Sequence, residues 1–256
     1  MATTAEVNAF NKKVADDMAN SALTVGTFNI NQYVNQNPAP VQEAMHIAMR
    51  TGASVIGVQE YCEFWNLPTS TSKIPGVYDY VATGKVSDLS WGSGWAGNAI
   101  ISKHPLSVNK SGIFKTELPQ PADITLPENK NVCGYVKSQF TKFGKVSFYN
   151  VHFFASWNVS GVKDAEIVES QARELAEIIK ADGTYYKVIT GDFNIKDVKY
   201  LKPLTDLGFQ PVFPFGEGQI DNILVLGHMP VINKGKVKVP GSVSDHDFYY
   251  ATFKFH

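Results

Sequence analysis

Six short apolar runs in this sequence end on polar residues of the kinds that do chemistry. They are Thr27-Phe28-Asn29-Ile30-Asn31, Val58-Gln59-Glu60, Tyr149-Asn150-Val151-His152, Thr190-Gly191-Asp192-Phe193-Asn194, Gln219-Ile220-Asp221-Asn222 and Ser244-Asp245-His246-Asp247. Taken singly, an Asn or Asp after a strand is usually a turn former, and a lone His such as His152 is more often structural. At one end of a layered domain, where strand tips converge and sites commonly form, the six tips together supply Asn29, Glu60, His152, Asp192, Asn194, Asp221, Asp245 and His246. Four carboxylates in one cleft repel one another unless a divalent cation sits among them. Hard oxygen ligands without cysteine favour Mg2+, with Mn2+ as a substitute, over Zn2+. Two histidines beside carboxylates form an acid–base pair, because an Asp that orients an imidazole also raises its basicity. Metal, oriented water and imidazolium together suit attack on phosphorus.

The elements that must position these groups follow from apolar spacing. Residues 5–20 place Val7, Phe10, Val14 and Met18 on one helical stripe, an added element before the main domain. Leu23–Ile30 and Ser54–Gln59 read as buried strands, joined by a helix over Val41–Thr51 that Gly52 can end. Strand-like runs follow at Tyr78–Thr83, Asn98–Ser102, Ser107–Lys115, Val132–Thr141 and Lys145–His152, the last two joined by a turn of hairpin length. Residues 162–181 form the clearest helix, followed by a strand at Lys187–Thr190 and a short helix near Lys196–Thr205. Strands at Ile220–Leu226, Val231–Val239 and Phe248–Phe255 close the chain. We expect residues 1–22 as a helical extension and 23–256 as one α+β domain of two packed sheets with helices outside.

Composition narrows the classes. With 256 residues, 44% of them apolar and 18% charged, the chain can bury a large core without disulfides and is not disordered. Cys62 and Cys133 lie in no Cys-x-x-Cys or Cys/His cluster and read as buried thiols. No apolar run reaches the length of a membrane span, and the start lacks the regions of a secretory signal, so we expect a cytoplasmic chain, and a monomer. A net charge of −1 offers no global attraction to phosphate polymers, so any nucleic-acid contact must be local or rest on bound cations.

The ordered motifs resemble the endonuclease/exonuclease/phosphatase superfamily, over residues 23–256. Thr27-Phe28-Asn29 is similar to its opening T-x-N motif, Gln59-Glu60 to its Q-E motif and Gly97-Asn98-Ala99-Ile100-Ile101-Ser102 to its G-N-A-I-L-S strand. Asn150-Val151-His152 resembles N-x-H, with Gln171 and Leu175 where the next helix shows Q-x-x-x-L. Gly191-Asp192-Phe193-Asn194 resembles G-D-F-N, Ile220-Asp221 the I-D motif and Ser244-Asp245-His246 the S-D-H motif. The resemblance implies a four-layer α/β sandwich of two mixed sheets flanked by helices. It also implies Glu60 as principal Mg2+ ligand with Asn29 and Asp245 beside it, and His246, oriented by Asp221, as the group that activates water or contacts the phosphate. Asp192 and Asn194 would position nucleophile and phosphoryl oxygen, and His152 would act from the opposite side. The implied activity is Mg-dependent phosphodiester hydrolysis, foremost of DNA. A small-molecule or lipid-linked phosphate, or a catalytically silent binding module, is the alternative.

Some residues depart from that pattern or bear on substrate. Cys62 stands where many nuclease relatives carry a base, and Asp247 follows the S-D-H motif as a solvated carboxylate rather than an extra ligand. Asn98, Trp95 and Trp157 are expected to contact substrate, the tryptophans by stacking, although loop packing explains Trp91, Trp95 and Trp157 about as well. Lys103, Lys110 and Lys115 offer a weak patch, and Lys234, Lys236 and Lys238 alternate onto one strand face, as either a solvated face or a phosphate track.

Overall fold

A computed structural model describes residues 2–31, 39–64, 76–88, 94–116, 133–143, 145–155, 164–216 and 218–256. In chain order the elements are α1 (Thr4–Ala19), β1 (Ala22–Asn29), α2 (Ala39–Thr51), β2 (Val55–Phe64), β3 (Tyr80–Asp88), β4 (Gly94–Ser102), β5 (Ser107–Ile113), β6 (Gly134–Phe140) and β7 (Val146–His152). There follow α3 (Asp164–Lys180), β8 (Tyr186–Asp192), a 3-10 turn (Val198–Leu201), α4 (Lys202–Thr205), β9 (Gln210–Pro211), β10 (Asp221–Leu226), β11 (Val231–Val237) and β12 (Phe248–Lys254). The two-residue β9 was not expected from the sequence. β2 and β4 run further toward the cleft than their apolar cores suggest, because each carries extra paired residues beyond a bulge.

Two six-stranded sheets form, ordered β11-β12-β1-β2-β4-β3 and β5-β6-β7-β8-β10-β9. Each has one parallel pair at its centre, β1 with β2 and β7 with β8, and antiparallel neighbours outside. The parallel pairs need crossovers, and these carry α2 and α3. The sheets are therefore built alike, and they stack so that β1 lies on β8 and β2 on β7. The four strand ends that carry Asn29, Gln59, His152 and Asp192 meet at one edge of the sandwich.

The apolar residues sort into three clusters that alternate with the sheets. Leu23, Val25, Phe148, Val188, Ile223 and Ala251 fill the space between them. Phe28, Ile56, Phe248 and the inner face of α2 make an outer cluster, and Tyr149, Ile189, Leu224 and α3 make the other. The result is four layers, two of sheet and two of helix. Phe10 and Val14 of α1 are buried in the α2-side cluster, so the helix read as an extension is part of the packing of the first sheet. A capping box fixes its start, where Thr3 and Glu6 bond each other's backbone amides. Gly52, at φ 80°, ends α2 where the chain turns back into β2.

Among the described residues no helix is long and apolar enough to cross a membrane.

Candidate active site

Strand alternation decides which tip residues face inward. On β1, Leu23 and Val25 point between the sheets, so Thr27 and Asn29 do too. By the same parity Val146 and Phe148 set Asn150 and His152 inward, Tyr186 and Val188 set Thr190 and Asp192, and Ile223 sets Asp221. Apolar residues thus fill the lower part of the inter-sheet space and polar ones the rim.

Below the rim lies a polar layer that pins one sheet to the other. Asn150 Nδ2 donates to the carbonyls of Val58 (2.7 Å) and Ala99 (3.0 Å), while its Oδ1 accepts from Gln59 Nε2 (2.5 Å) and Thr190 Oγ1 (3.0 Å). Gly57 makes room for it, since a Cβ there would lie 1.9 Å from Thr190 Oγ1 and 2.5 Å from Asn150 Oδ1. Asn150, with both ends of its side chain hydrogen-bonded, thus fixes how one sheet sits on the other.

Glu60 does not obey the parity. It follows inward-facing Gln59 and would point to the α2 side, but Val58 pairs with Ala99 and Tyr61 with Gly97, so Gln59 and Glu60 together stand opposite Asn98. This bulge, with Glu60 at φ 54°, turns the carboxylate into the cleft. Asn31 and Asn194 are also left-handed, at φ 50° and 51°. Asn tolerates that conformation, whereas for Glu it costs on the order of 1–2 kcal/mol.

The cleft is centred on Asp192. Its Oδ2 accepts from Asn29 Nδ2 at 3.0 Å and lies 3.7 Å from His152 Nε2 and 3.8 Å from His246 Nε2. Asn29 Nδ2 also reaches Glu60 Oε1 at 3.0 Å, bridging the two carboxylates. His246 Nδ1 is 2.8 Å from Asp221 Oδ2. The Asn194 amide donates to Asp192 Oδ1 (3.0 Å), and Asn194 Nδ2 to the Phe153 carbonyl (2.9 Å). Asp245 joins through a residue that strand-end reasoning passed over: Asn31 Nδ2 donates to Asp245 Oδ1 (2.8 Å), while the Asn31 amide donates to Asn29 Oδ1 (3.0 Å). Its signal was present, as the second Asn of Asn29-Ile30-Asn31.

Burial sets the electrostatics. It raises the Glu60 carboxyl above the ordinary range, a shift the charge of Asp192 increases and His152 and Asn29 oppose. Burial and Asp192 likewise push Asp221 up. Burial disfavours a charged His246, but the Asp221 hydrogen bond and the charges of Asp221, Asp192 and Asp245 outweigh it and raise its pKa to about 10. The Asp221–His246 pair therefore holds a proton well above neutral pH. Asp192, Asp221 and His246 offer ligand atoms all within 4.8 Å of one another. Asp221 Oδ1 is buried with no hydrogen-bond partner among the described residues. Crowded, desolvated carboxylates with a spare oxygen fit a hard divalent cation.

A model of the endonuclease/exonuclease/phosphatase family matches residues 26–246. The chain belongs to this family. Solved structures agree on the fold. An endonuclease/exonuclease/phosphatase protein from Beutenbergia cavernae superposes with TM-score 0.68 at 15% identity, over 92% of this chain and 72% of that one. A family protein from Leptotrichia buccalis gives 0.64 at 13%, over 91% and 100%. TDP2 of D. rerio, complexed with single-strand DNA product, gives 0.60 at 15%, over 91% and 99%. No curated protein matches the chain.

The endonuclease/exonuclease/phosphatase fold accounts for the convergence of Asn29, Glu60, His152, Asp192, Asn194, Asp221, Asp245 and His246, and the remaining residues fall elsewhere. Asn98 is buried at the bulge, its Nδ2 on the Gly134 carbonyl at 2.9 Å and its Oδ1 without a partner among the described residues. Trp95 packs on Tyr61, ring centroids 5.9 Å apart, at the edge of the α2-side cluster. Trp91 and Trp157 lie outside the described residues. Cys62 is buried behind Glu60, burial raising its thiol pKa far above the ordinary value. Lys103 is tied to the Gly76 carbonyl and Asp79. On β11, Lys234 donates to the Val212 carbonyl over the Phe213 ring, and Lys236 lies over Tyr249 and pairs with Asp247 at 3.0 Å. Asp247 is thus held in an ion pair, not merely solvated.

Proposed function

We propose that this chain is a divalent-metal-dependent phosphodiesterase, a nuclease that hydrolyses DNA by in-line attack of activated water. The observation that carries the reading is the convergence of Asn29, His152 and His246 on one buried carboxylate, Asp192. Glu60, Asn29 and Asp245 are the residues we assign to Mg2+, with Mn2+ as a substitute. A bound cation of this kind polarises the phosphoryl oxygens and stabilises their developing charge. Asp221 accepts from His246 Nδ1 and so directs Nε2 into the cleft, where it can hold or exchange a proton with the attacking water or the phosphate. Asp192 and Asn194, locked to each other through the Asn194 amide, position the nucleophile. His152 faces Asp192 from the β7 side and donates to the phosphoryl oxygens, each well-placed donor contributing about 3–4 kcal/mol to the transition state. Of the three residues expected to contact substrate, Trp157 keeps that assignment, whereas Asn98 is buried on the Gly134 carbonyl and Trp95 is packed on Tyr61. A DNA substrate is supported by the general motif set and by the DNA-bound state of the TDP2 relative.

Buried Cys62, which leaves no base at its position, favours a second reading, a phosphoesterase for a small-molecule or lipid-linked phosphate. The deciding experiment is Mg2+- and Mn2+-dependent hydrolysis of supercoiled DNA, single strands, abasic duplex, RNA, phospholipid and inositol phosphates. Cleavage of DNA that weakens steeply with salt supports the nuclease, because each displaced counterion adds to the slope. Hydrolysis of only the small or lipid substrates selects the second reading, and hydrolysis of none refutes both.

A further inference from the structure

The four residues Ser244, Asp245, His246 and Asp247 are each tied to a different part of the fold. Ser244 Oγ donates to the Asn29 carbonyl on β1 (2.7 Å), and Asp245 accepts from Asn31 beyond it. His246 reaches Asp221 at the start of β10 in the other sheet. Asp247 turns to β11: its Oδ1 accepts from the Val239 amide at 3.2 Å and its Oδ2 pairs with Lys236 Nζ at 3.0 Å. The first three ties involve the cleft itself. Asp247 is different. Among the described residues no hydrogen bond or ion pair joins its carboxylate to Glu60, Asp192, Asp221 or His246.

Between β11 and β12 the chain makes a ten-residue excursion, Lys238 to Asp247, and its far end carries Asp245 and His246. The excursion has two anchors of its own: a turn in which the Val243 and Ser244 amides donate to the Pro240 carbonyl, and the buried side chains of Val239 and Val243. Asp247 supplies the closure. It joins the last residue of the excursion to Val239, near its beginning, and to Lys236 on the preceding strand. Lys236 is itself fixed over the Tyr249 ring, so the brace has a defined foothold rather than a free lysine. An exposed ion pair adds little to stability, but one that also accepts a backbone amide restrains loop geometry.

We propose that Asp247 is a positioning residue that closes the excursion onto β11 and thereby holds His246 and Asp245 in register with Asp192. This rests on the phosphodiesterase reading. The consequence is kinetic: a misplacement of about 1 Å far from the reacting atoms can cost about 100-fold in rate.

The test uses the full chain with Mg2+ and a fluorescent DNA oligonucleotide, together with amide hydrogen exchange at Val239, His246 and Ala251. In Asp247→Ala, kcat is expected to fall about 10- to 100-fold with KM changed by no more than about threefold. Exchange at Val239 and His246 should quicken about tenfold while Ala251, inside β12, stays protected. Lys236→Met removes the ion pair and the charge over the Tyr249 ring but leaves the Val239 amide bond, and should shift both readouts the same way by a smaller factor. The double variant should be no slower than Asp247→Ala, because both changes cut one brace. Unchanged exchange in Asp247→Ala overturns the brace, and faster exchange with kcat intact overturns its catalytic consequence. Loss of protection at Ala251 as well would show a general loosening and overturn the proposal in favour of a purely structural role. A wild-type protein inactive on every phosphodiester refutes the function reading and the catalytic part of this proposal, whereas the exchange result decides the brace independently.

Discussion

Asp221, at the start of β10, and His246, in the loop before β12, meet across the two sheets, Asp221 Oδ2 lying 2.8 Å from His246 Nδ1 at the cleft rim. Burial opposes a charged imidazole there, yet Asp221, Asp192 and Asp245 hold its pKa up at about 10 against an ordinary 6.5. A group raised above its unfolded value stabilises fully below the unfolded pKa and loses that contribution as pH rises through the folded one. Metal-free protein should therefore show a urea midpoint that declines between pH 6.5 and about 10. Asp221→Asn should flatten the decline and drop the His246 imidazole titration followed by NMR. A decline of the same size in Asp221→Asn would contradict this account.

Glu60 sits left-handed, desolvated and beside Asp192, so in metal-free protein its charge works against folding. Glu60→Gln should raise the Tm measured in EDTA by several degrees, as about 1 kcal/mol does for domains of this size. The same variant should lose the further rise in Tm that Mg2+ gives the wild type, and its hydrolysis. A Mg2+-dependent rise equal to that of the wild type would remove Glu60 from the metal site.

Gly57 is required by contact rather than by backbone angle. Its missing Cβ leaves room for Thr190 and Asn150, at 1.9 and 2.5 Å from where that atom would stand. Gly57→Ala should cost about 1–3 kcal/mol or more through overpacking, read as a lower urea midpoint. It should also disturb the Gln59–Asn150 hydrogen bond, and with it the neighbouring Glu60 bulge, so activity should fall further than stability alone explains.

On the α3 side of the second sheet, Lys137 and Asp182 form a buried pair at 2.9 Å, with Tyr149 donating to the same carboxylate oxygen at 2.7 Å. Burial would raise Asp182, but Ser147, Tyr149, Lys137 and Thr184 together hold it well below the usual carboxylate range. That stabilisation is present above the unfolded pKa of about 3.9 and is lost as pH falls through the folded one. Lys137→Met should cost about 1–3 kcal/mol at neutral pH, because the carboxylate loses its charged partner while keeping its bonds from Tyr149 and Thr184. Lys137→Met/Asp182→Asn should recover part of the loss in equilibrium urea unfolding.

The period-two pattern made the strand tips legible, and with them Asn29, His152, Asp192 and Asp221, because a residue's parity with Val25, Phe148, Val188 or Ile223 fixes the face it uses. The stripe of Phe10 and Val14 likewise gave α1, and Gly52 the end of α2. Glu60 is the instructive exception. Its place at the tip of Val58-Gln59-Glu60 marked it, but parity alone sends it to the wrong face, since a bulge depends on the partner strand and leaves no local mark. Asn31 and Asp247 were hidden for another reason: their roles are defined by Asp245 and Lys236, distant or adjacent in ways that only the folded loop reveals. Trp95 looked available for stacking because its flanking glycines suggest a loop, but those residues extend β4 and place the ring on Tyr61.

The pairing of β1 with β12 joins Ala22 to Lys254, across almost the whole chain. Loop closure on that scale is slow compared with the local β6–β7 hairpin, so the last strand is expected to dock late in folding. Until it does, β1 has a partner on one side only, and its other hydrogen-bonding edge is open to a neighbouring molecule. Because β12 follows the loop that carries Asp245 and His246, completion of the cleft and closure of that edge are one event. Refolding yield should therefore depend on protein concentration during the interval before activity returns, and not after it.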